Sequence, residues 1–277
     1  TMTWHASLEL NYTLQDDRSV LHFAHSGPLR VLKSLYPEGE RICHNVLVHP
    51  PSGLVGGDTL EIHAHLASGC HALVTTPGAT RFYRSEGDLA LQQTHLHLQA
   101  GARMEWLPLE TILYSGCRAE NRLRIELEPN AELLAWDVST LGLSHANLDF
   151  VQGSYCQHIE IPNVWLERGV IEASDTRLLN SPLGLNGHRC MGSLFFACGS
   201  VLARDRKALL LESARQCVSD HPLNASAGVT SPNPQVVVLR VLGDEAETVM
   251  QLLKSVWATW RRNGWNLPAV QPRIWAM

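Results

Sequence analysis

The chain has 277 residues, of which 45% are hydrophobic and 18% are charged, a balance typical of a folded globular protein. Its 22 basic and 27 acidic residues give a net charge of -5, which argues against a nucleic-acid-binding protein and against binding to an anionic membrane. The sequence has no apolar run of the roughly 20 residues that a membrane-spanning helix needs, and residues 1–15 lack the basic and apolar regions of a secretory signal. Seven cysteines without a CxxC pair indicate reduced thiols, and together these features predict a cytoplasmic protein.

Three similar segments follow one another at intervals of about thirty residues. They are EIHAHLASGCHALVTTPG (61–78), QTHLHLQAGARMEWLPLE (93–110) and RIELEPNAELLAWDVST (124–140). Each has an alternating strand, a turn residue and an apolar strand, and the turn residues Gly69, Gly101 and Asn130 tolerate a positive φ angle. The alternation gives each strand one buried face. Such a repeat predicts stacked strand units, as in a β-solenoid, with an ordinary antiparallel sandwich as the alternative.

The C-terminal part of the chain has a different pattern. The apolar side chains of residues 243–264 fall on one helical face, and Asn263–Gly264 are suited to end that helix. Residues 203–219 predict a second helix, and residues 235–242 predict a buried strand between the two. The chain is therefore predicted to be mainly β, with two helices near its C-terminus.

No motif of a common catalytic or nucleotide-binding loop occurs in the sequence, since GxSxG, HExxH, Walker A and GxGxxG are absent. Two HxH pairs resemble part of a metal site, because His63 and His65 share one strand face and His95 and His97 share another. Four imidazoles would cluster if these strands are neighbours, and imidazole binds nickel, zinc and copper. The alternative is a solvated strand face that is rich in histidine.

Polar residues at the ends of apolar strands are further candidates for a site. Asp58 follows a Gly-Gly turn in HPPSGLVGGDTL, Thr80 lies in the turn-like segment TTPGATRFYRS, and Asp137 follows the apolar run LLAW. Glu167 follows the run VWL, with Arg168 beside it as a possible partner. A carboxylate is costly to bury unless something pairs with it, so polar groups at these ends predict a polar cavity. The alternative for each is an exposed residue at a turn or strand end.

The motifs HPPSGLVGGDTL, TTPGATRFYRS, LLAWDVSTLG and PRIW occur in this order and resemble the UreD family of urease accessory proteins, called UreH in some organisms. The chain has Ser52 where the family often has glycine. The resemblance implies a flattened, β-helix-like stack of strands with two α-helices near the C-terminus. It also implies one domain over residues 1–277, in which a helix–strand–helix portion (about 203–264) packs on a β-rich portion (1–200).

The resemblance further implies a protein that is not an enzyme. It would be a chaperone for nickel insertion into apo-urease, bind UreF, reach UreG through UreF, and be dimeric only within that complex. No cofactor would be bound tightly, and nickel(II) would pass transiently through a polar tunnel for which Asp58, Thr80, Asp137 and Glu167 are the lining candidates. A conduit must release its ion, which scattered carboxylates and hydroxyls allow better than a closed His/Cys site. Two alternatives stay open: a nickel-buffering protein that uses the HxH pairs, and a metal-dependent hydrolase.

Overall fold

The computed structural model describes residues 3–51 and 53–276, so Ser52 lies outside the described residues. Eighteen strands and three α-helices lie within this part of the chain. The strands are β1 His5–Gln15, β2 Arg18–Ser26, β3 Arg30–Val31, β4 Ile42–Val48, β5 Thr59–Leu66, β6 His71–Thr75, β7 Thr80–Phe82, β8 Ala90–Leu98, β9 Arg103–Leu107, β10 Thr111–Leu113, β11 Cys117–Leu127, β12 Glu132–Leu143, β13 Leu148–Asp149, β14 Gly153–Ile161, β15 Trp165–Glu172, β16 Cys190–Cys198, β17 Ala227–Asn233 and β18 Val236–Gly243. The helices are α1 Thr176–Asn180, α2 Arg204–Ser219 and α3 Ala246–Trp265. The prediction of a mainly β chain with two helices near its C-terminus is confirmed, and the short helix α1 is an addition to it.

The strands wind into a flattened stack of coils that forms two sheets. The first sheet has the order β15-β14-β11-β8-β5-β1-β2, and the main path of the second is β17-β18-β16-β12-β9-β6-β4-β3. Strands β5, β8, β11 and β14 pair in parallel in the first sheet, as do β4, β6, β9 and β12 in the second. This pairing confirms the solenoid-like prediction. Antiparallel pairing occurs towards the ends of the stack, at β2, at β15 and among β16, β17 and β18.

The predicted turn residues form the corners between the two sheets. Gly69, Gly101 and Asn130 have φ angles of 76°, 71° and 61°. A Cβ atom on Gly101 would meet nothing within 4 Å, so the left-handed backbone favours glycine there and crowding does not. Thr59 pairs with Leu91 in the first sheet and His71 with Arg103 in the second, so both sheets keep the same step between these coils.

Two apolar layers hold the molecule together. One lies between the sheets, and the other lies between the second sheet and helices α2 and α3. Strand β12 serves both layers, because Leu133 and Ala135 face the first sheet while Leu134 and Trp136 face the helices. Among the described helices, none combines the length and apolar character needed to cross a membrane.

Helix α3 ends later than the sequence pattern predicts. It continues through Trp265, and Asn266, with a φ angle of 53°, is its C-cap, so the predicted end at Asn263–Gly264 is wrong. Trp265 is buried against the second sheet, and this packing extends the helix. Gly264 instead allows close packing, since a Cβ atom there would lie 3.1 Å from the ring of Phe196. The predictions for residues 203–219 and 235–242 match α2 and β18.

A buried ionic network joins α3 to the second sheet. The fully buried guanidinium of Arg261 lies 2.6 Å from Glu38 and 3.6 Å from Glu105. His44 contacts Glu38 at 2.7 Å and His71 contacts Glu105 at 2.8 Å. The neighbouring Cys43–His44 and Cys70–His71 pairs thus use their imidazoles in carboxylate contacts within the fold.

Candidate functional site

A row of amide side chains crosses the inner face of the first sheet. Gln92 on β8 is the register partner of Asn121 on β11, which is in turn the partner of Gln157 on β14. All three occupy inward positions in strands whose other inward residues, such as Leu96 and Leu123, are apolar and buried. Because paired strands lie about 4.8 Å apart, the three amides stand side by side in one row.

A second polar row faces the first from the other sheet. Asp137 on β12 is paired in register with Ser193 on β16, and Ser193 with Arg240 on β18. The buried carboxylate of Asp137 accepts hydrogen bonds from Asn121 Nδ2 at 3.0 Å and from Gln157 Nε2 at 2.6 Å. The two rows therefore meet at Asp137, and these hydrogen bonds offset part of the cost of burying it.

Asp137 lies in surroundings that suit an incoming cation. Burial raises its pKa above the usual value, hydrogen bonds from Gln157 and Ser139 act in the opposite direction, and the Glu167 carboxylate adds to the increase. The groups that donate hydrogen bonds to it are neutral amides and a hydroxyl. Burial also raises the pKa of Tyr155 well above its ordinary 10.0, so the phenol beside Ser139 stays protonated. A cation next to Asp137 would favour its ionised form.

Three neighbouring cavities follow the polar rows, and together they form what we call the passage. The first, of about 280 Å³, opens beside His49, Thr80 and Gln92. The second, of about 20 Å³, shares Thr80 and Gln92 with the first and also contacts Asp137. The third, of about 410 Å³, is lined by Asp137 and Glu167. Each cavity shares at least one lining residue with the next, so the three cavities lie in a row between the sheets, across the strands.

Three of the four tunnel candidates line this passage. Thr80 lies between its first two cavities, Asp137 between the second and third, and Glu167 in the third. Glu167 is paired with Arg240, whose Nη2 atom lies 2.5 Å from Glu167 Oε2. The expected partner Arg168 is therefore wrong, because adjacent residues of a strand point to opposite faces and Arg240 shares the inner space.

The fourth candidate, Asp58, has a local role in the structure. Its carboxylate accepts hydrogen bonds from the backbone N–H groups of Trp4 and Val55, both at 2.9 Å, and so fixes the turn before β5. The side chain is not among those that line the three cavities, and a tunnel role for Asp58 stays a prediction. Burial lowers the pKa of nearby His49, although the Asp58 carboxylate acts in the opposite direction.

Residues of the passage that the sequence patterns did not single out are Gln92, Asn121, Gln157, Ser193 and Arg240. A signal for them exists in the sequence. Asn121 falls two positions before Leu123, and Gln92 four before Leu96, where the alternation calls for an apolar residue. A polar residue at an inward position of an alternating strand is therefore a useful marker of a polar cavity.

The four strand histidines lie on the opposite, outer face of the first sheet. His63 is the register partner of His95, and His65 of His97, so the four imidazoles cluster as expected for neighbouring strands. His65 Nδ1 and His97 Nδ1 lie 3.0 Å apart, and His97 Nε2 lies 3.5 Å from Glu128. Within residues 3–51 and 53–276, no group of three or more His, Cys, Asp or Glu side chains is arranged to hold a metal ion. Metal binding by these four histidines stays a prediction.

Comparison with known proteins gives one consistent result. A family model described as UreD urease accessory protein matches residues 5–276. A protein of Albidiferax ferrireducens named urease accessory protein UreD is 67% identical over 276 residues, covering 100% of both chains. Proteins of the same name from Polaromonas sp. and Variovorax paradoxus are 61% and 62% identical, covering 100% and 99% of this chain and 100% of each relative.

Proposed function

The chain belongs to the UreD family of urease accessory proteins, and we propose that it delivers nickel ions to apo-urease through the passage between its two sheets. Family membership supports a role in urease maturation, as an accessory protein rather than as the enzyme. The observation that carries the nickel proposal is the shared lining of the three cavities by Thr80, Gln92 and Asp137.

The first opening offers suitable ligands for a partly hydrated nickel ion. Burial lowers the pKa of His49, which keeps its imidazole in the neutral form that binds metals. The hydroxyl of Thr80 and the amide of Gln92 follow it along the lining. These groups can replace water ligands one at a time, so the ion need not lose its hydration shell in one step.

The centre of the passage controls the ion most strongly. A cavity of about 20 Å³ has room for about one water molecule, so a nickel ion passes here without a full hydration shell. Asp137 supplies a carboxylate, and rotation of the Asn121 and Gln157 amides turns their oxygens towards the ion. One carboxylate among neutral oxygen ligands binds nickel weakly, which allows release.

The other opening contains a charge that must be neutralised. Arg240 would repel an approaching cation, and Glu167 compensates its charge through their ion pair. We infer that Glu167, by compensating the charge of Arg240, allows nickel to pass through this opening. Glu167→Ala alone leaves Arg240 unpaired and blocks delivery, whereas Glu167→Ala with Arg240→Ala restores much of it.

Partners are proposed to cover this second opening. Two exposed apolar side chains are sequence neighbours of residues that line it. Leu166 is next to Glu167, and Leu183, which is 100% exposed, is next to Gly184. We propose that UreF, UreG through UreF, and apo-urease assemble with this protein, which is dimeric only in that complex. A partner seated here would shield the ion from bulk water.

The decisive experiment measures urease activation in a host that carries the remaining urease and accessory genes. Asp137→Ala combined with Glu167→Ala should lower the nickel content of urease by about tenfold or more, as loss of metal-handling side chains commonly does. Glu126→Ala, on the outer face of the first sheet, is the matched control. Pull-down with UreF and apo-urease shows whether the complexes still form. Full activation by the double variant would refute nickel passage and leave a scaffold.

One observation favours a second role in nickel buffering. The 3.0 Å between His65 Nδ1 and His97 Nδ1 matches two adjacent ligands on one metal, given metal–nitrogen bonds of about 2.1 Å. The position of Glu128 near His97 Nε2 would orient that ring. Equilibrium dialysis should show weaker nickel binding to His65→Ala/His97→Ala than to a His22→Ala control. A metal-dependent hydrolase gains no support from the described residues, which lack a three-ligand group.

A further inference from the structure

A cleft at the corners of the coils lies apart from the passage and has a different chemistry. Its volume is about 610 Å³. The corner residues Gly69, Gly101 and Asn130 form one wall, and three arginines, Arg41, Arg103 and Arg206, surround it. We call it the corner cleft.

The corner cleft is positively charged in an acidic protein. Its lining has three guanidinium groups and one carboxylate, that of Glu132, while the whole chain has a net charge of -5. Arg206 is held by Glu132 and by the carbonyl oxygen of Gly264. Arg41 pairs with the exposed Asp17 at the rim. Glu132 thus serves Arg103 and Arg206, and Asp17 serves Arg41, which leaves one uncompensated positive charge at the cleft.

Arg103 is the arginine with unused donors. Its guanidinium carbon lies over the Trp265 ring, 5.3 Å from the ring centre, within the range of a cation–π contact. Its Nε atom is 3.7 Å from Glu132 Oε2, beyond hydrogen-bond distance, and its side chain donates no hydrogen bond within the described residues. Burial lowers the pKa of Arg103, and the like charges of Arg206 and Arg41 lower it further, although Glu132 acts in the opposite direction. An anion in the cleft would relieve this repulsion.

We propose that the corner cleft binds a phosphate-bearing small molecule. A phosphate group carries about two negative charges at neutral pH and three strong acceptor oxygens, so it can bind more than one of the three guanidinium groups at once. Guanidinium groups bind phosphate oxygens through paired hydrogen bonds, and Arg103 has a full set of donors available. The volume exceeds that of inorganic phosphate alone, and Ile42 and Leu267 offer apolar contacts for the rest of the ligand.

The test is calorimetric titration of the purified full chain with orthophosphate, pyrophosphate and a nucleoside triphosphate at constant ionic strength. At least one of these should bind, and Arg103→Gln should weaken binding by about tenfold or more. Arg124→Gln, an exposed arginine on the outer face of the first sheet, is the matched control and should bind like the parent. Tryptophan fluorescence is a second readout: because the chain has eight tryptophans, the change on ligand binding is compared with that of Trp265→Phe, which lacks the indole under Arg103.

Two further variants keep the result interpretable. Arg41→Gln changes a rim residue without touching the core, so it should weaken binding even if Arg103→Gln disturbs the fold, which circular dichroism would reveal. The Asp137→Ala/Glu167→Ala variant should bind phosphate normally, since the proposal does not rest on nickel transport. Equal affinity of the parent and Arg103→Gln, binding of succinate as tight as that of pyrophosphate, or no binding of any phosphate probe would each overturn it.

Discussion

The two faces of the first sheet carry similar polar ladders in opposite surroundings. On the inner face, Gln92, Asn121 and Gln157 stand in register beneath the second sheet. On the outer face, His63 pairs with His95, and no second sheet packs over them within the described residues. Both ladders follow from the same parallel pairing.

Enclosure, more than residue type, therefore decides what a row of polar side chains does. The inner amides of Asn121 and Gln157 donate their hydrogen bonds to Asp137, because a buried donor without a partner costs roughly 1–3 kcal/mol. The outer imidazoles keep contact with water and with long carboxylates such as Glu126 and Glu128, at 3.5 Å. The inner ladder is therefore fixed in place, and the outer one can change its contacts or its protonation.

Neighbouring residues on β8 give the largest contrast. Leu96→Ala removes a fully buried inner side chain and should lower the free energy of unfolding by roughly 2–5 kcal/mol. His95→Ala changes an outer residue that is part-exposed, so we expect a loss within about 0.5 kcal/mol. Urea denaturation of the two variants measures the contrast. Equal losses would show that the outer histidines are structural.

Neighbours on β14 repeat the contrast at polar positions. Gln157→Leu removes the donor at 2.6 Å from Asp137 and leaves that carboxylate short of a hydrogen bond, at a cost of roughly 1–3 kcal/mol. His158→Leu breaks only a part-exposed contact of 3.3 Å with Glu160 and should cost within about 0.5 kcal/mol. The same denaturation experiment compares them. A neutral Gln157→Leu would mean that water reaches Asp137 freely.

The charge on Asp137 should make the inner row pH-sensitive. Burial raises its pKa in the folded state, so the folded protein holds this proton more tightly than the unfolded chain does. Stability therefore decreases as the pH rises from below the unfolded pKa through the folded one. Asp137→Asn removes this ionisation, so the stability of the variant relative to the parent should increase as the pH rises from acid to neutral. Unfolding free energies at several pH values test this, with Glu126→Gln on the outer face as control. A gain that does not change with pH would contradict the explanation.

The smallest effect needs no mutation. Cys117 lies buried on the inner face, where burial raises its pKa to about 12, while Cys156 is half-buried on the outer face of β14. Iodoacetamide should therefore label Cys156 in the native protein and reach Cys117 only after unfolding. Mass spectrometry of the digested peptides reads both positions at once. Native labelling of Cys117 would show that the inner face opens readily.

The sequence predicts the fold well where a structural feature depends on a local pattern. Alternation of period two, with a corner residue that accepts a positive φ angle, is enough to predict the coils at Gly69, Gly101 and Asn130. The amphipathic pattern likewise predicts α2 and α3. The end of α3 is missed because tertiary packing of Trp265 outweighs the local capping preference of Asn263–Gly264.

The candidate site is harder to predict because it depends on contacts between distant strands. Asp137 is detectable as a carboxylate after an apolar run, but its link to Gln157 requires the register of β11 with β14. Arg240 lies in a segment read only as a buried strand, and the local pattern suggested Arg168 as the partner of Glu167. Such pairs become visible once the sheet order is known.

The order of the elements along the chain has a consequence for synthesis. Helix α3 follows every strand of both sheets, and it covers the apolar outer face of the second sheet, including Trp136 and Phe196. A growing chain can complete all its coils and still expose this face to the surrounding solution. Exposed sheet faces of this kind promote aggregation during folding. A chain that ends before α3 would thus aggregate even though its whole strand stack is complete.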